Sequence, residues 1–386
     1  MNTEALLFAL LRIALGTQPE DTLPKEQITP AVLEQVYALS KKHDLAHLAG
    51  QALAKLGLLG KDEISDKFRK HTMVAVRRFM LLQNELLRLS AAFEKAQTPF
   101  IPLKGSVLRE AYPESWMRTS GDIDIQIQKE NLQTLHRVLT ETLHYKEVGN
   151  WGPETTYVSP TGVTLELHYG ILEEVDDPAT VAVLEQVWDL ARPVTGCQFQ
   201  LEMPDAFFYF HHMVHMAKHF LEGGCGIRTV MDIWVLQNRM EFDIQKRDKM
   251  LQEGNMLAFA KGMEKLAAAW FSQVPADADT QQLERYLLDG GIYGTLENKV
   301  KVQQGKQGGK IKYILSRIFV PYSIMKNIYP VLQKHRWLLP FMEVWRWIRA
   351  VFTGNISRQE MQSSMQTNSE EAMGAMLQRL GLKEKL

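Results

Sequence analysis

Two carboxylates, Asp122 and Asp124, lie two residues apart inside the alternating run Gly121-Asp122-Ile123-Asp124-Ile125-Gln126-Ile127. Successive side chains of a β-strand point to opposite faces, so the isoleucines can enter a core while both acids share the other face. Neighbouring carboxylates repel unless a positive group lies between them. A hard divalent cation suits that place. Mg²⁺, with Mn²⁺ as the alternative, takes one or two carboxylates and fills its remaining positions with water and substrate phosphates.

A third acid has a similar setting. Val163, Leu165 and Leu167 alternate with Thr164, Glu166 and His168, so Glu166 faces Asp124 if the two strands are neighbours. Three acids around one or two cations can position a nucleotide's phosphates and lower the pKa of an attacking hydroxyl. Upstream, Phe100 to Ser106 reads as a short strand ending in a small-residue turn, and Val107 to Tyr112 has helical spacing. Gly105 lets the backbone approach a ligand, Ser106 offers a hydroxyl, and the following helix start offers free N–H groups, which together suit phosphate oxygens. Lys104 and Arg118 can each pair with the acids or meet a triphosphate.

The set Lys104-Gly105-Ser106, then Arg118 with Asp122 and Asp124, then Glu166 on a later strand resembles the DNA polymerase beta-like nucleotidyltransferase superfamily. More narrowly, Leu103-Lys104-Gly105, Arg118 to Asp124, Leu165-Glu166-Leu167-His168 and a later histidine-rich helix resemble the uncharacterised nucleotidyltransferase family of bacteria, over about residues 30 to 240. The resemblance implies that Asp122 and Asp124 are the metal-binding pair, that Glu166 completes the site and helps activate the acceptor, and that Gly105 and Ser106 form the nucleotide-phosphate turn. One departure is that Lys104 precedes the turn and the helix reads Val107-Leu108-Arg109, where the superfamily has small polar residues and an Arg. The expected reaction is Mg²⁺-dependent transfer of a nucleoside monophosphate from an NTP, ATP first, to a hydroxyl on a small molecule or a protein, releasing pyrophosphate. The rivals are a protein AMP-transferase, a non-catalytic binding or assembly protein that keeps the fold, and a metal-dependent hydrolase built on the histidine helix.

That helix spans Phe207 to His219 and sets His211, His215 and His219 on one face, with His212 beside it. Four-residue spacing can serve zinc or iron, although the Glu of a His-Glu-x-x-His site is missing; a polar stripe facing substrate and a core role are the other readings. Gly223, Gly224 and Gly226 then break the helix, and Arg228 and Asp232 follow four residues apart, where they can pair with each other. The resembling family has a similar Gly-x-Arg and Asp there, which implies an adenine or acceptor pocket drawn from His168, His211, His215, His219, Arg228 and Asp232.

The elements that must hold these residues predict an α+β chain, a small mixed-sheet core between helical regions. Residues 1–96 read as helical, 97–200 as the nucleotidyltransferase core, 201–353 as a second helical region, and 354–386 as a polar linker with a short tail helix. Thr29 and Pro30 open one N-terminal helix. Another runs from about Ile64 to Lys95, with Val76, Met80, Leu86, Leu87 and Phe93 expected inside. The acidic stretch Glu173 to Asp177 reads as a solvated loop, and the glycines from Gly305 to Gly309 read as breaks in a mobile one. The 386 residues suffice for two or three domains. With 44 basic against 45 acidic residues, no global field attracts nucleic acid, which is disfavoured as a partner. Cys197 and Cys225 are the only cysteines and suit a reducing cytoplasm, and the N-terminus lacks the basic region of a leader. The aromatic and basic segment 313–352 can touch a membrane surface or pack on the body, and nothing in the sequence indicates an oligomeric state.

Overall fold

The computed structural model describes residues 2–150, 152–170, 175–240, 243–291, 294–307, 322–353 and 370–382. Four helices come first: α1 (Thr3–Leu15), α2 (Pro30–Lys42), α3 (Ala46–Lys55) and α4 (Glu63–Lys95). Helix α1 is apolar nearly all round and is accordingly buried, with the Asn2 side chain accepting from Ala5 N–H at one end and Gly16 in the left-handed region at the other. Thr29 caps α2 and Pro30 occupies its first position, as the sequence predicts. Asp62 caps α4, a helix of 33 residues.

A five-stranded sheet follows, formed by β1 (Phe100–Pro102), β2 (Asp122–Ile127), β3 (Lys146–Asn150), β4 (Glu154–Val158) and β5 (Thr164–His168). Its order is β1-β2-β5-β4-β3. Only the β2–β5 pairing is parallel; β1–β2, β5–β4 and β4–β3 are antiparallel. The chain is therefore α+β, with a mixed sheet and helical flanks. The alternation seen in the sequence puts Ile123, Ile125, Ile127, Leu165 and Leu167 on one face. They are buried there with Leu82, Leu89 and Phe93 of α4 and with Leu135 and Leu139, which lie in and just after α6 (Leu132–Arg137). The opposite face carries the acids. Between β1 and β2 lies the short helix α5 (Gly105–Leu108).

Beyond the sheet come α7 (Pro178–Leu184), α8 (Val187–Leu190), a small pair of strands β6 (Arg192–Pro193) and β7 (Leu201–Glu202), and then α9 (Asp205–Leu221), α10 (Gly226–Arg239), α11 (Ile244–Glu253), α12 (Leu257–Phe271), α13 (Ala278–Gly290) and α14 (Leu296–Gln307). Further helices span Tyr322–Ile328, Val331–Lys334, Leu339–Thr353 and Glu370–Arg379. The first and last helical regions share one core: Phe8 of α1 packs on Trp270 and Phe271 of α12, with ring centroids 4.8 and 6.3 Å apart.

Several local expectations change. Met80 and Leu87 of α4 are each 60% exposed, and Val76 and Leu86 only half-buried, whereas Phe93 is inside. The inner line of α4 instead runs through Ala75, Leu82 and Leu89, spaced every seven residues, because this line meets the sheet and the facing helices. Gly305 does not break the chain. It continues α14 and crosses the helix Glu370–Arg379 at Gly374, where a Cβ on Gly305 would lie 3.1 Å from the Gly374 nitrogen. Asp177 is a cap rather than a solvated acid, accepting from Thr180 N–H at the start of α7. Glu173 and Glu174, the glycines at 308 and 309, residues 313–321 and most of the expected 354–371 linker lie outside the described residues. No helix among the described residues is long and apolar enough to cross a membrane.

Candidate active site

The parallel β2–β5 register sets Asp122 opposite Thr164, Asp124 opposite Glu166 and Gln126 opposite His168. Residues directly opposite in a ladder share a face, so Asp124 and Glu166 project to the same side, with Asp122 and His168 one step along their strands. Ligand atoms of Asp124, Glu166 and His168 lie within 4.8 Å of one another. Among the described residues this is the one place where three metal-capable side chains converge. His168, which sequence reasoning grouped with the helix histidines, thus belongs to the acid cluster. Its Nε2 is 3.0 Å from Asp124 Oδ1 and 3.8 Å from Glu166 Oε2, and its Nδ1 is 3.4 Å from Glu154 Oε2.

The electrostatics separate the three acids. Burial alone would raise the Asp124 carboxyl, but Lys104, whose Nζ donates to Oδ1 at 2.9 Å, and His168 on the same oxygen outweigh it and hold the group well below the usual carboxylate range. For Asp122 the balance reverses: burial and then the Asp124 charge raise it, outweighing the opposing charges of Lys104, Arg78 and Arg228. Glu166 is pushed up to about 7 by burial and by its neighbours Asp124, Asp122 and Glu154. The cluster gathers Asp122, Asp124, Glu166 and Glu154 around Lys104 and His168, and its oxygen-rich donor set matches a hard divalent cation.

The turn before the acids is built for close approach. Lys104 has φ 47° and ψ −119°, a conformation that costs a side-chain-bearing residue about 1–3 kcal/mol and collects at functional sites. This kink sends the chain from β1 into α5 while the Lys104 side chain reaches Asp124, and Leu103 N–H donates to the Asp124 carbonyl. Gly105 packs against Ser120 so tightly that a Cβ would lie 2.8 Å from the Ser120 Cβ. Arg109, 1% exposed, stitches the same two segments by donating from Nε to the Gly105 carbonyl and from NH2 to Ser120 Oγ. Arg78 of α4 donates to the Ser120 and Gly121 carbonyls from the other side. The Ser106 hydroxyl is buried and has no hydrogen-bond partner among the described residues; Ser106 lines a cavity of about 410 Å³ bounded also by Pro102, Leu108, Met203, Asp205 and Phe208.

The remaining candidates separate. Arg118 donates through Nε to Asp232 Oδ1 at 2.7 Å rather than to Asp122 or Asp124, and Tyr112 OH donates to the same oxygen at 2.5 Å. Arg228 reaches Asp44 at 2.8 Å and Thr119, so the Arg228–Asp232 pair that their spacing permits does not form. Each residue has met a partner far away in sequence instead. On α9, His215 and His219 have Nε2 atoms 3.2 Å apart, His219 Nδ1 is 3.4 Å from Glu222, and His211 is buried. Burial pushes the Cys225 thiol up, which disfavours the thiolate.

Sequence reasoning missed Glu154, Arg78, Arg109, Tyr112, Asp44 and Thr119. The hairpin register, which sets Glu154 opposite His168, is the only signal that could have found one of them. No curated protein matches the chain. Residues 30–272 do match a family described as an uncharacterised nucleotidyltransferase, which covers more than half of the sequence and all of the site. The chain therefore belongs to the uncharacterised nucleotidyltransferase family, and is a transferase enzyme.

Proposed function

We propose that this enzyme transfers a nucleoside monophosphate from an NTP, ATP first, to a hydroxyl acceptor and releases pyrophosphate, in a divalent-cation-dependent reaction. The register that sets Asp124 opposite Glu166, with Asp122 on the same face, carries this proposal. Asp122, Asp124 and Glu166 would hold Mg²⁺ or Mn²⁺, which when bound neutralises phosphate charge and eases deprotonation of the attacking hydroxyl.

The chain's own groups have distinct tasks. The acceptor oxygen bonds to the α-phosphorus as the bond to the bridging oxygen breaks, the electron pair leaves with pyrophosphate, and the acceptor proton passes to a Glu166 oxygen. Lys104 lies at the acid cluster and can exchange Asp124 for a phosphate oxygen. Gly105, buried against Ser120, lets that turn pack closely, and Arg78 and Arg109 hold it against the residues that lead into Asp122, which would keep Lys104 at the acids. Arg118, committed to Asp232, is better suited to fixing the scaffold than to meeting phosphate. A cytoplasmic setting would supply the NTP and suits two free cysteines.

The test is transfer of α-phosphorus label from each of the four NTPs, with Mg²⁺ or Mn²⁺, to the protein itself and to a small-molecule extract. Label should appear with the native protein and vanish in Asp122→Asn/Asp124→Asn with its circular dichroism unchanged. No label in either fraction, or equal label with the acid variant, would overturn the proposal.

A further inference from the structure

Between Tyr322 and Thr353, Met325 and Leu332 are buried while several other large apolar side chains face outward. Trp337 is 69% exposed, and on the 15-residue helix Leu339–Thr353 the large apolar residues Phe341, Val344, Trp345 and Ile348 face outward, with Pro340 and Arg349 exposed as well. At about 100° per residue, these four fall within an arc of roughly 100°. The other side of the helix, with Leu339, Met342, Glu343 and Arg346, is half-buried, and Arg346 donates to Glu343 at 2.9 Å. Surface helices of globular proteins ordinarily turn their apolar stripe inward and their charges outward. Here an apolar stripe also faces outward, while Glu343 and Arg346 lie on the half-buried side. Ile328 and Val331, 51% and 42% exposed, extend the apolar surface along the preceding helices.

Charge identifies what covers it. Between residues 322 and 353 there are five basic residues, Lys326, Lys334, Arg336, Arg346 and Arg349, against the single acid Glu343, while the whole chain carries a formal charge of −1. Lys334, Arg336 and Arg349 are exposed. Exposed tryptophan and phenylalanine flanked by cations match the boundary between lipid headgroups and acyl chains. Because no described helix can cross a bilayer, the helix would lie in the plane of that boundary.

We propose that Trp337 and the Phe341-Val344-Trp345-Ile348 face dock the enzyme on an anionic lipid bilayer, with the surrounding Lys and Arg residues supplying attraction to the headgroups. This lies outside the catalytic proposal and does not depend on it. It would hold the enzyme at a membrane surface without a spanning segment.

The test is sedimentation of the full-length protein with vesicles of phosphatidylcholine alone or of an equimolar mixture with phosphatidylglycerol, with no nucleotide present. The native protein should pellet with the anionic vesicles and be released by high salt. Phe341→Ser and Trp345→Ser should each weaken partitioning about tenfold, and Lys334→Gln and Arg336→Gln about fivefold each. All four side chains are exposed, so the variants should keep native circular dichroism and thermal stability. Equal pelleting with neutral and anionic vesicles, or no pelleting with either, would overturn the proposal. So would a dimer, seen by analytical ultracentrifugation without lipid, that Phe341→Ser/Trp345→Ser dissolves while vesicle binding is absent, since a second copy would then be the occupant.

Discussion

Replacing Asp232 by alanine removes a fully buried carboxylate whose Oδ1 takes hydrogen bonds from Arg118 Nε at 2.7 Å and Tyr112 OH at 2.5 Å. The Arg118 side chain, only 12% exposed, would keep its charge and its bond to the Thr119 carbonyl but lose its counter-ion. Removing one partner of a buried ion pair costs about 3–5 kcal/mol, chiefly because the other charge is left uncompensated. Loss of the acceptor for Tyr112 adds about 1 kcal/mol or more. Asp232→Ala should therefore destabilise the protein by about 4–6 kcal/mol in urea denaturation. Arg118→Met alone should cost about 3 kcal/mol by the same reasoning. The double variant Arg118→Met/Asp232→Leu removes both charges and fills part of the space, so it should cost less than either single change. If Asp232→Ala costs under about 1 kcal/mol, or if the double variant costs the sum of the singles, the pair is not the buried, mutually dependent unit described above.

Acid should weaken the fold through three histidines. Burial, first among the causes, holds His43, His47 and His212 to about 4, against an unfolded value of 6.5. Between those values the unfolded chain binds more protons than the folded one, so stability is complete above the unfolded value and falls with pH, by up to about 3 kcal/mol per imidazole at the lower limit. Urea titrations between about pH 7 and pH 5 should show this loss, and a flat profile would mean that the three rings are not held neutral. Gly105→Ala should cost about 1–3 kcal/mol because its new Cβ meets Ser120, and adding Ser120→Gly should restore part of it. An unchanged thermal midpoint for Gly105→Ala would show that the turn has slack.

The strands that bear the acids were legible because Ile123, Ile125 and Ile127, like Val163, Leu165 and Leu167, alternate strictly with polar residues. The hairpin into β5 was legible from Pro160 to Gly162, where Gly162 adopts φ 82°. The parallel pairing of β2 with β5 was not, since two alternating strands fit either direction and any neighbour. Arg228 and Asp232 illustrate the same limit: helical spacing permits a local pair, but partners at Asp44 and Arg118 compete for both and lie too far away in sequence to be seen. In α4 the apolar residues are distributed around the helix, so periodicity alone selected Met80 and Leu87 where packing selects Leu82 and Leu89.

Helix α4, about 50 Å long at 1.5 Å per residue, belongs to two cores at once. Ile64 and Phe68 sit in the helical core and Leu82, Leu89 and Phe93 beneath the sheet, while Arg78, between them, grips the residues that enter β2. It acts as a splint. The sheet cannot swing as a door against the N-terminal helices without snapping a continuous ladder of backbone hydrogen bonds. Arg78 ties the same helix to the segment that leads into Asp122 and Asp124, so one continuous element sets the spacing between the helical core and the acid-bearing strand.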